Sequence, residues 1–316
     1  MIVSLKENVR YAELKFDTVI LSDWHLGRYY CRAGALSRFL NNLQCRRLIV
    51  NGDGVDLEEL RHPDRPSYDD PNLVRLLEKK AHRILPPSHY AILNRMRQMA
   101  QSGVQVDWIP GNHDQPLRKH FDEKFFGATI VESVTMDLPD GKKCVIRHGD
   151  EFDLPWHMDT WGDKLLVMGY FANMAVDIRV NAVLETLCLP PVSLPKIARR
   201  NLGLGSSRLE TFRVNALEYA IRNNADVIIC GHIHEPEDTV EECRGMADER
   251  RQVRRINCGD FTESNSFVVI DEHGNISLKH LSMHASRAAY HHNTNGALPA
   301  GMSAEAWRLA GLMRKR

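Results

Sequence analysis

Short apolar runs and segments of helical periodicity alternate along the first half of the chain. The predicted strands lie at 17–23, 46–53 and 104–114, and the predicted helices lie at 32–43, 71–84 and 88–103. In the last helix, Ser88 is the expected N-cap and Gly103 the expected stop. Alternation of this kind is typical of layered α/β domains.

The second half of the chain shows a different pattern. Its predicted elements are a hairpin at 129–150, a helix at 208–224, a buried strand at 225–230 and further antiparallel strands after it. The hairpin is expected to turn at Asp140 and Gly141. Between the first hairpin and that helix lies an apolar, helical stretch rich in Leu, Met and Pro, at 154–206. We therefore expect one α/β domain over residues 1–282 with a helical insertion, followed by a tail at 283–316.

Composition and charge narrow the class of protein. Apolar residues make up 43% of the chain and charged residues 26%, which is ordinary for a globular protein. Lys plus Arg and Asp plus Glu both number 41, so no net charge favours binding to nucleic acid. The seven cysteines include no C-x-x-C pair, and the sequence shows no signal-peptide core, which together predict a cytoplasmic protein with reduced thiols.

Residues that commonly ligate metals follow five of the apolar strands. They are Asp23 and His25, then Asp53, then Asn112, His113 and Asp114, then His148, and finally His232 and His234. Each motif alone fits a turn or a surface histidine as well as a ligand. Sites in open α/β sheets gather at the carboxyl ends of strands, however, so five such ends in one chain predict a single metal site. His232 and His234 are two residues apart in extended chain and therefore face the same side.

The order D-x-H, G-D, G-N-H-D, H-G-D and G-H-x-H resembles the calcineurin-like metallophosphoesterase family from about residue 17 to about residue 281. The resemblance implies a four-layer αββα sandwich that holds two metal ions. By matching position, the first ion would be held by Asp23, His25, Asp53 and His234, and the second by Asp53, Asn112, His148 and His232. Asp53 would bridge the two ions and screen their repulsion.

The same resemblance implies roles for the remaining polar residues. A mixed nitrogen and oxygen ligand set suits Mn²⁺, with Fe or Zn as alternatives, better than Mg²⁺. His113 would act at the leaving oxygen as a general acid or charge stabiliser, with Asp114 fixing its tautomer. Asp150 and Asp153 fit two roles equally, as hydrogen-bond partners of His148 or as carboxylates that cap a helix.

Within the family, HGDEFD, the apolar insertion, the segment from 208 to 237 and INCGDFTES resemble the UDP-2,3-diacylglucosamine pyrophosphatase group of lipid A synthesis. That likeness implies cleavage of a lipid-linked nucleotide to UMP and diacylglucosamine 1-phosphate, with residues 154–206 as a cap for acyl chains. Enzymes of that group typically carry Arg where this chain has His113, so another phosphodiester or phosphomonoester is an alternative substrate. A non-catalytic binding module of the same fold is the alternative of another class, and it would be expected to lack some ligands.

Two segments, the insertion at 154–206 and the tail at 283–316, are candidates for contact with the inner face of a membrane. The insertion either receives lipid or packs its apolar side chains against itself and the core. The tail places Trp307, Leu309 and Leu312 among basic residues, and it either touches an anionic surface or forms a frayed terminal helix.

Overall fold

The computed structural model describes residues 7–9, 14–58, 60, 62–153, 176, 179–180, 206–244 and 250–281. The predicted tail at 283–316 and nearly all of the predicted helical insertion at 154–206 lie outside these residues. No helix in the described ranges is long and apolar enough to cross a membrane.

The described residues form two sheets. The first has eight strands in the order β1-β13-β12-β2-β3-β4-β6-β5. Their bounds are β1 Glu7–Val9, β2 Lys15–Leu21, β3 Gln44–Asn51, β4 Gln105–Ile109, β5 Lys124–Phe125, β6 Ala128–Ile130, β12 Ser266–Ile270 and β13 Ile276–Leu281. Strands β2, β3, β4 and β6 run parallel, which brings their carboxyl ends to one edge of the sheet.

The second sheet has five strands in the described part of the chain, in the order β10-β11-β9-β8-β7. Their bounds are β7 Val134–Asp137, β8 Lys143–Ile146, β9 Val227–Cys230, β10 Glu237–Arg244 and β11 Arg250–Asn257. Strands β8 and β9 are parallel. The carboxyl ends of these two strands therefore also meet at one edge.

Helices cover the outer face of each sheet. Their bounds are α1 Ala33–Asn42, α2 Leu73–Ile84, α3 Pro87–Gln101 and α4 Ser206–Arg222. Buried residues of α1, α2 and α3 pack with the first sheet, and those of α4 pack with the second. The result is the four-layer αββα sandwich that the family resemblance implies.

Successive buried side chains of a single strand pack alternately against the helices and against the other sheet. Val19 and Leu21 of β2 pack under the helices, whereas Ile20 between them faces the second sheet. In the same way, Ile228 of β9 packs on α4 and Ile229 faces the first sheet. Successive side chains of a strand point to opposite faces, so a strand buried on both faces reads as a continuous apolar run.

Two local predictions are wrong. Helix α3 begins at Pro87, so Ser88 lies inside its first turn and makes no capping hydrogen bond. Proline favours the first helical position because it lacks an N–H and its φ angle is already helical. The predicted hairpin at 129–150 divides between the sheets, since β6 joins the first sheet and only β7 and β8 pair as a hairpin.

Candidate metal centre

Each of the seven predicted ligands lies two to four residues beyond the end of a strand. Asp23 and His25 follow β2, Asp53 follows β3, Asn112 follows β4, His148 follows β8, and His232 and His234 follow β9. Three of these strands belong to the first sheet and two to the second. The site therefore lies where the carboxyl edges of both sheets meet.

The structure brings these side chains together in overlapping groups. Ligand atoms lie within 4.8 Å of one another in three sets, which are Asp23, His25 and His234, then His25, Asp53 and His113, then Asp53, His148 and His232. His25 is shared by the first and second sets and Asp53 by the second and third, so the three sets form one continuous cluster. The side-chain oxygen of Asn112 lies 3.0 Å from Nδ1 of His232, which places Asn112 beside the third set.

Distances within the sets are those expected between ligands of one cation. Nε2 of His234 lies 3.1 Å from Oδ1 of Asp23 and 3.2 Å from Nε2 of His25. Two ligands that each bind one ion at about 2.1 Å are separated by roughly 3.0–3.4 Å in octahedral or tetrahedral geometry. Two imidazole nitrogens and a carboxylate oxygen at these spacings are a plausible ligand set for a transition metal.

Two buried atoms support the same reading. Oδ1 of Asp23 lies 3.1 Å from Nε2 of His234, and Nε2 of His148 lies 3.5 Å from Oδ2 of Asp53, but neither buried atom makes a well-aligned hydrogen bond among the described residues. Buried polar atoms without a partner are rare, because each costs about 1–3 kcal/mol. Both atoms point into the sets described above, where a bound cation would satisfy them.

The opposite nitrogen of three histidines is held by an oxygen acceptor. Nδ1 of His25 lies 2.7 Å from Oδ1 of Asp56, and Nδ1 of His148 lies 2.8 Å from the carbonyl oxygen of Asn51. Nε2 of His232 lies 2.9 Å from Oδ2 of Asp153. Metal-binding histidines usually donate their second ring N–H in this way, which fixes the tautomer and aims the lone pair of the other nitrogen.

The electrostatic balance of the site calls for positive charge. Burial lowers the pKa of His234, but the neighbouring Asp23 carboxylate outweighs it and raises that pKa to about 9. Burial raises the pKa of Asp53, yet the nearby His148 more than offsets this, so the pKa of Asp53 lies well below its usual value. Without a cation, protons on the imidazoles balance the buried carboxylates. Divalent metal ions would do so instead.

Left-handed backbone marks the same loops. Positive φ angles occur at Asp23 (56°), His25 (52°), Asp53 (52°), His232 (69°) and His234 (55°). Residues other than glycine seldom adopt this conformation, which costs on the order of 1–3 kcal/mol and concentrates at functional sites. Five of the seven predicted ligands thus sit on strained backbone that the surrounding fold holds in place.

A glycine makes room at the centre of the site. A Cβ added at Gly111 would overlap Oδ1 of Asp53 and would lie 2.6 Å from Nε2 of His148. Only glycine, which has no side chain, lets the Asp53 and His148 side chains lie this close to the backbone of residue 111.

The carboxylate beside the His113 ring is Asp56, so the prediction that Asp114 fixes its tautomer is wrong. Oδ1 of Asp56 lies 3.3 Å from Nδ1 of His113, and its side chain is 1% exposed. Asp114 instead accepts hydrogen bonds from the indole N–H of Trp108 and from the backbone N–H groups of Gly54 and Gly111. Its carboxylate turns inward and holds the loops together, where burial and the charge of Asp53 raise the pKa of Asp114 to about 7.

Asp56 is the site residue that sequence reasoning missed. It binds the imidazoles of His25 and His113 with one oxygen, and Nε of Arg28 lies 3.0 Å from the other. The signal was present, because NGDGVD carries a second aspartate three residues after Asp53.

The two carboxylates after His148 also have other partners than expected. Asp150 starts a short 3-10 helix, Asp150–Phe152, and pairs with Arg118, whose Nη2 lies 2.6 Å away. Asp153 contacts His232, whereas the ring of His148 is held by the Asn51 carbonyl. The H-G-D-x-x-D spacing places two carboxylates near the metal-binding histidines, but it does not show which histidine each carboxylate contacts.

Comparison with known proteins identifies the family. The sequence model of the calcineurin-like phosphoesterases matches residues 16–236, well over half of the chain. The chain belongs to the calcineurin-like phosphoesterase family. It is therefore a metal-dependent phosphoesterase, and the matched region contains all the histidines and aspartates of the three sets.

Among individual proteins, the chain is similar to a UDP-2,3-diacylglucosamine hydrolase from Blochmanniella pennsylvanica (strain BPEN). The two are 25% identical over 194 residues, which cover 59% of this chain and 72% of that relative.

Two solved structures cover a larger share of the chain at lower similarity. A predicted phosphoesterase from Streptococcus pneumoniae TIGR4 has a TM-score of 0.32 at 14% identity, covering 85% of this chain and 90% of its own. Vacuolar Protein Sorting 29 from Cryptosporidium parvum has a TM-score of 0.32 at 12% identity, covering 84% and 98%. At these TM-scores the two structures add nothing to the family assignment.

Proposed function

We propose that this chain is a two-metal hydrolase of a lipid-linked nucleotide, cleaving the pyrophosphate of UDP-2,3-diacylglucosamine to UMP and 2,3-diacylglucosamine 1-phosphate. The observation that carries the two-metal part is the continuous cluster of three ligand sets, in which His25 links the first to the second and Asp53 links the second to the third. The lipid-linked substrate is supported by the similarity to the Blochmanniella hydrolase.

The proposed ligands follow the family resemblance and are supported by the three sets, which contain all of them except Asn112. The first ion is assigned to Asp23, His25, Asp53 and His234, and the second to Asp53, Asn112, His148 and His232. When bound, two divalent ions polarise phosphoryl oxygens and lower the pKa of water to near neutrality. We assign Mn²⁺ to both positions, because nitrogen and oxygen donors are mixed, with Fe or Zn as alternatives.

His113 is assigned to the leaving oxygen. Its side chain is 28% exposed, and its Nε2 lies 4.0 Å from Oδ2 of Asp53, at the centre of the site. Burial lowers the pKa of His113 below its usual value, and the charges of Asp53 and Asp56 offset this only in part. Because Asp56 faces Nδ1, it stabilises the doubly protonated ring and leaves the proton on Nε2 to be donated to the departing oxygen.

The remaining parts of the proposal concern the chain around the site. Residues 1–282 would form the catalytic domain, residues 154–206 its cap for acyl chains, and residues 283–316 a separate tail. A substrate with two acyl chains lies in a bilayer, so we place the enzyme in the cytoplasm at the inner face of the membrane. Asn51, Asp56 and Asp153 would orient the metal-binding imidazoles.

The decisive experiment compares three substrates with the Mn²⁺-loaded protein. These are UDP-2,3-diacylglucosamine, the same nucleotide sugar without acyl chains, and bis(p-nitrophenyl) phosphate, with products followed by mass spectrometry. We expect UMP and the diacylated sugar phosphate from the first, with much slower cleavage of the other two. Asp53→Asn is the inactive control.

Two results would contradict parts of the proposal. Full activity of Asp53→Asn would refute the shared-ligand assignment. Equal or faster cleavage of the non-acylated substrates would refute the lipid assignment while leaving the two-metal site intact. It would favour the alternative substrate, another phosphodiester or phosphomonoester. His113 already suggests this alternative, because the related enzymes typically carry Arg at that position.

A further inference from the structure

The imidazole of His232 is engaged on both sides. Its Nδ1 lies 3.0 Å from the side-chain oxygen of Asn112, and its Nε2 lies 2.9 Å from Oδ2 of Asp153. Asn112 and His232 are both proposed ligands of the second ion, so Nδ1 is the nitrogen that faces the metal position. Nε2 then carries the ring proton and donates a hydrogen bond to Oδ2 of Asp153.

Asp153 is itself fixed by an arginine of α4. Nε of Arg208 donates to Oδ1 of Asp153 at 2.6 Å, and its Nη2 donates to Oδ2. A fork of two parallel hydrogen bonds fixes a carboxylate in orientation as well as in position.

The same helix also supports the ring from another side. Phe212, one turn after Arg208, lies nearly parallel to the His232 imidazole with ring centroids 6.2 Å apart. Residues four apart share a helix face, so α4 presents the arginine and the aromatic ring together. His232 is thereby held by a carboxylate and an aromatic ring, both of which depend on α4.

The chain positions of the pair add a consequence. Asp153 is the last described residue before the insertion, and Arg208 follows it near the start of α4. Their ion pair thus joins the chain on the two sides of residues 154–205. The same Asp153 carboxylate therefore pairs with Arg208 across the predicted insertion and orients one proposed metal ligand, His232.

We infer that Asp153 and Arg208 are positioning residues for the second metal ion. Asp153 fixes the His232 tautomer that offers Nδ1 to the metal, and Arg208 fixes Asp153. This inference rests on the proposed function, because it assumes that His232 binds the second ion.

The test measures metal binding by the full-length, metal-free protein, without any phosphoester. Mn²⁺ titration followed by calorimetry gives the two affinities, and the electron paramagnetic resonance signal of coupled Mn²⁺ pairs reports occupancy of both positions. We expect Asp153→Ala to weaken binding of the second ion about 10- to 100-fold, while the affinity for the first ion is unchanged. Asp153→Asn keeps an oxygen acceptor and should lose less, and Arg208→Gln should shift the same affinity in the same direction.

Arg213→Gln is the matched control. Arg213 lies on the same helix and forms an equivalent fork, to Glu237, with Nη2 to Oε1 at 3.0 Å. Within the described part of the chain, no hydrogen bond or ion pair joins Arg213 to Asp153 or His232, so its replacement should leave both affinities unchanged. Circular dichroism and Tm of every variant establish that it is folded.

The outcomes separate the two levels of the proposal. If the wild-type chain binds fewer than two ions, the proposed function fails, and this inference fails with it. If the wild type binds two ions and both Asp153→Ala and Arg208→Gln do so with unchanged affinity, only the inference is overturned. Should Asp153→Ala fail to fold, the partly exposed Arg208 makes Arg208→Gln the deciding variant.

Discussion

The Asp56 carboxylate contacts two imidazoles of the site. Replacing Asp56 by Asn removes its negative charge and leaves a side chain of nearly the same shape. Oδ1 of this carboxylate lies 2.7 Å from Nδ1 of His25 and 3.3 Å from Nδ1 of His113. The substitution therefore weakens support for a proposed metal ligand and for the proposed acid at once. The two effects can be separated, because they predict different measurements.

The expected magnitude follows from the charge. A buried hydrogen bond to a charged group contributes about 1.5–3 kcal/mol. If that stabilisation belongs to the transition state, its loss lowers kcat about 10- to 150-fold, since 1.36 kcal/mol corresponds to a tenfold change in rate. Steady-state kinetics with bis(p-nitrophenyl) phosphate at saturating Mn²⁺ give this value, and metal analysis of the same samples reports any loss of ions.

A double-mutant cycle identifies the route. If Asp56 acts through His113, adding Asp56→Asn to His113→Ala should change kcat by less than about threefold, because the shared interaction is already lost. If it acts through His25, the full loss persists in the double variant, together with a fall in metal content. Unchanged kcat and metal content in Asp56→Asn would refute the role altogether.

The control is Asp107→Asn. Asp107 is similarly buried and pairs with Arg47 at 2.7 Å, but it lies within β4. Its replacement should lower the free energy of unfolding without changing kcat. A similar loss of activity in both variants would show that destabilisation, rather than the site, explains the Asp56 result.

Three further predictions follow from the structure. Removing metal with EDTA should lower Tm, and Mn²⁺ at about 100 times its Kd should restore about 2.7 kcal/mol of stability by binding only the folded state; an unchanged Tm would contradict a metal site here. Gly111→Ala should abolish binding of the second ion, measured by metal analysis, because its Cβ would overlap both Asp53 and Nε2 of His148, which ligate that ion, whereas Gly34→Ala, whose Cβ meets only Arg38 at 3.7 Å, should bind normally. His89 accepts the Gly27 N–H at 2.8 Å, and burial lowers its pKa below the usual 6.5, so the unfolded chain takes up a proton that the folded state resists. The free energy of unfolding of the metal-free wild type, measured in urea, should therefore fall faster than that of His89→Gln as pH drops from about 7.5 to 5.5, and parallel curves would refute this.

The sequence was sufficient for the features that depend on the chain's own periodicity. Apolar runs located the central strands, and polar residues just after them located the site, because parallel strands bring their ends to one edge. His148 and His232 were correctly placed near Asp53, although they come from a different sheet. The motif order and the family resemblance provided that link, since spacing alone does not show which strands share a sheet.

The features that depend on side-chain direction were not predictable. Asp114 is next to His113 in sequence but turns away from its ring, while Asp56 reaches the ring from the loop after β3. The H-G-D-x-x-D spacing allows Asp153 as a partner for His148, but Asp153 contacts His232 instead. Such choices are set by how loops from different strands pack, which a linear pattern does not encode. The predicted hairpin at 129–150 is wrong for the same reason, because β6 joins the first sheet instead of pairing with β7.

The left-handed backbone at five proposed ligands has a consequence for protein engineering. A designer who copied the same aspartates and histidines onto ordinary turns of another scaffold would reproduce the chemistry of the donors but not their directions. At about 1–3 kcal/mol for each strained residue, the combined cost approaches the whole net stability of a typical domain. The transplantable unit is therefore the set of five strand-to-loop junctions with the two sheets behind them, and a scaffold without that reserve of stability would be expected to relax the loops and lose the site.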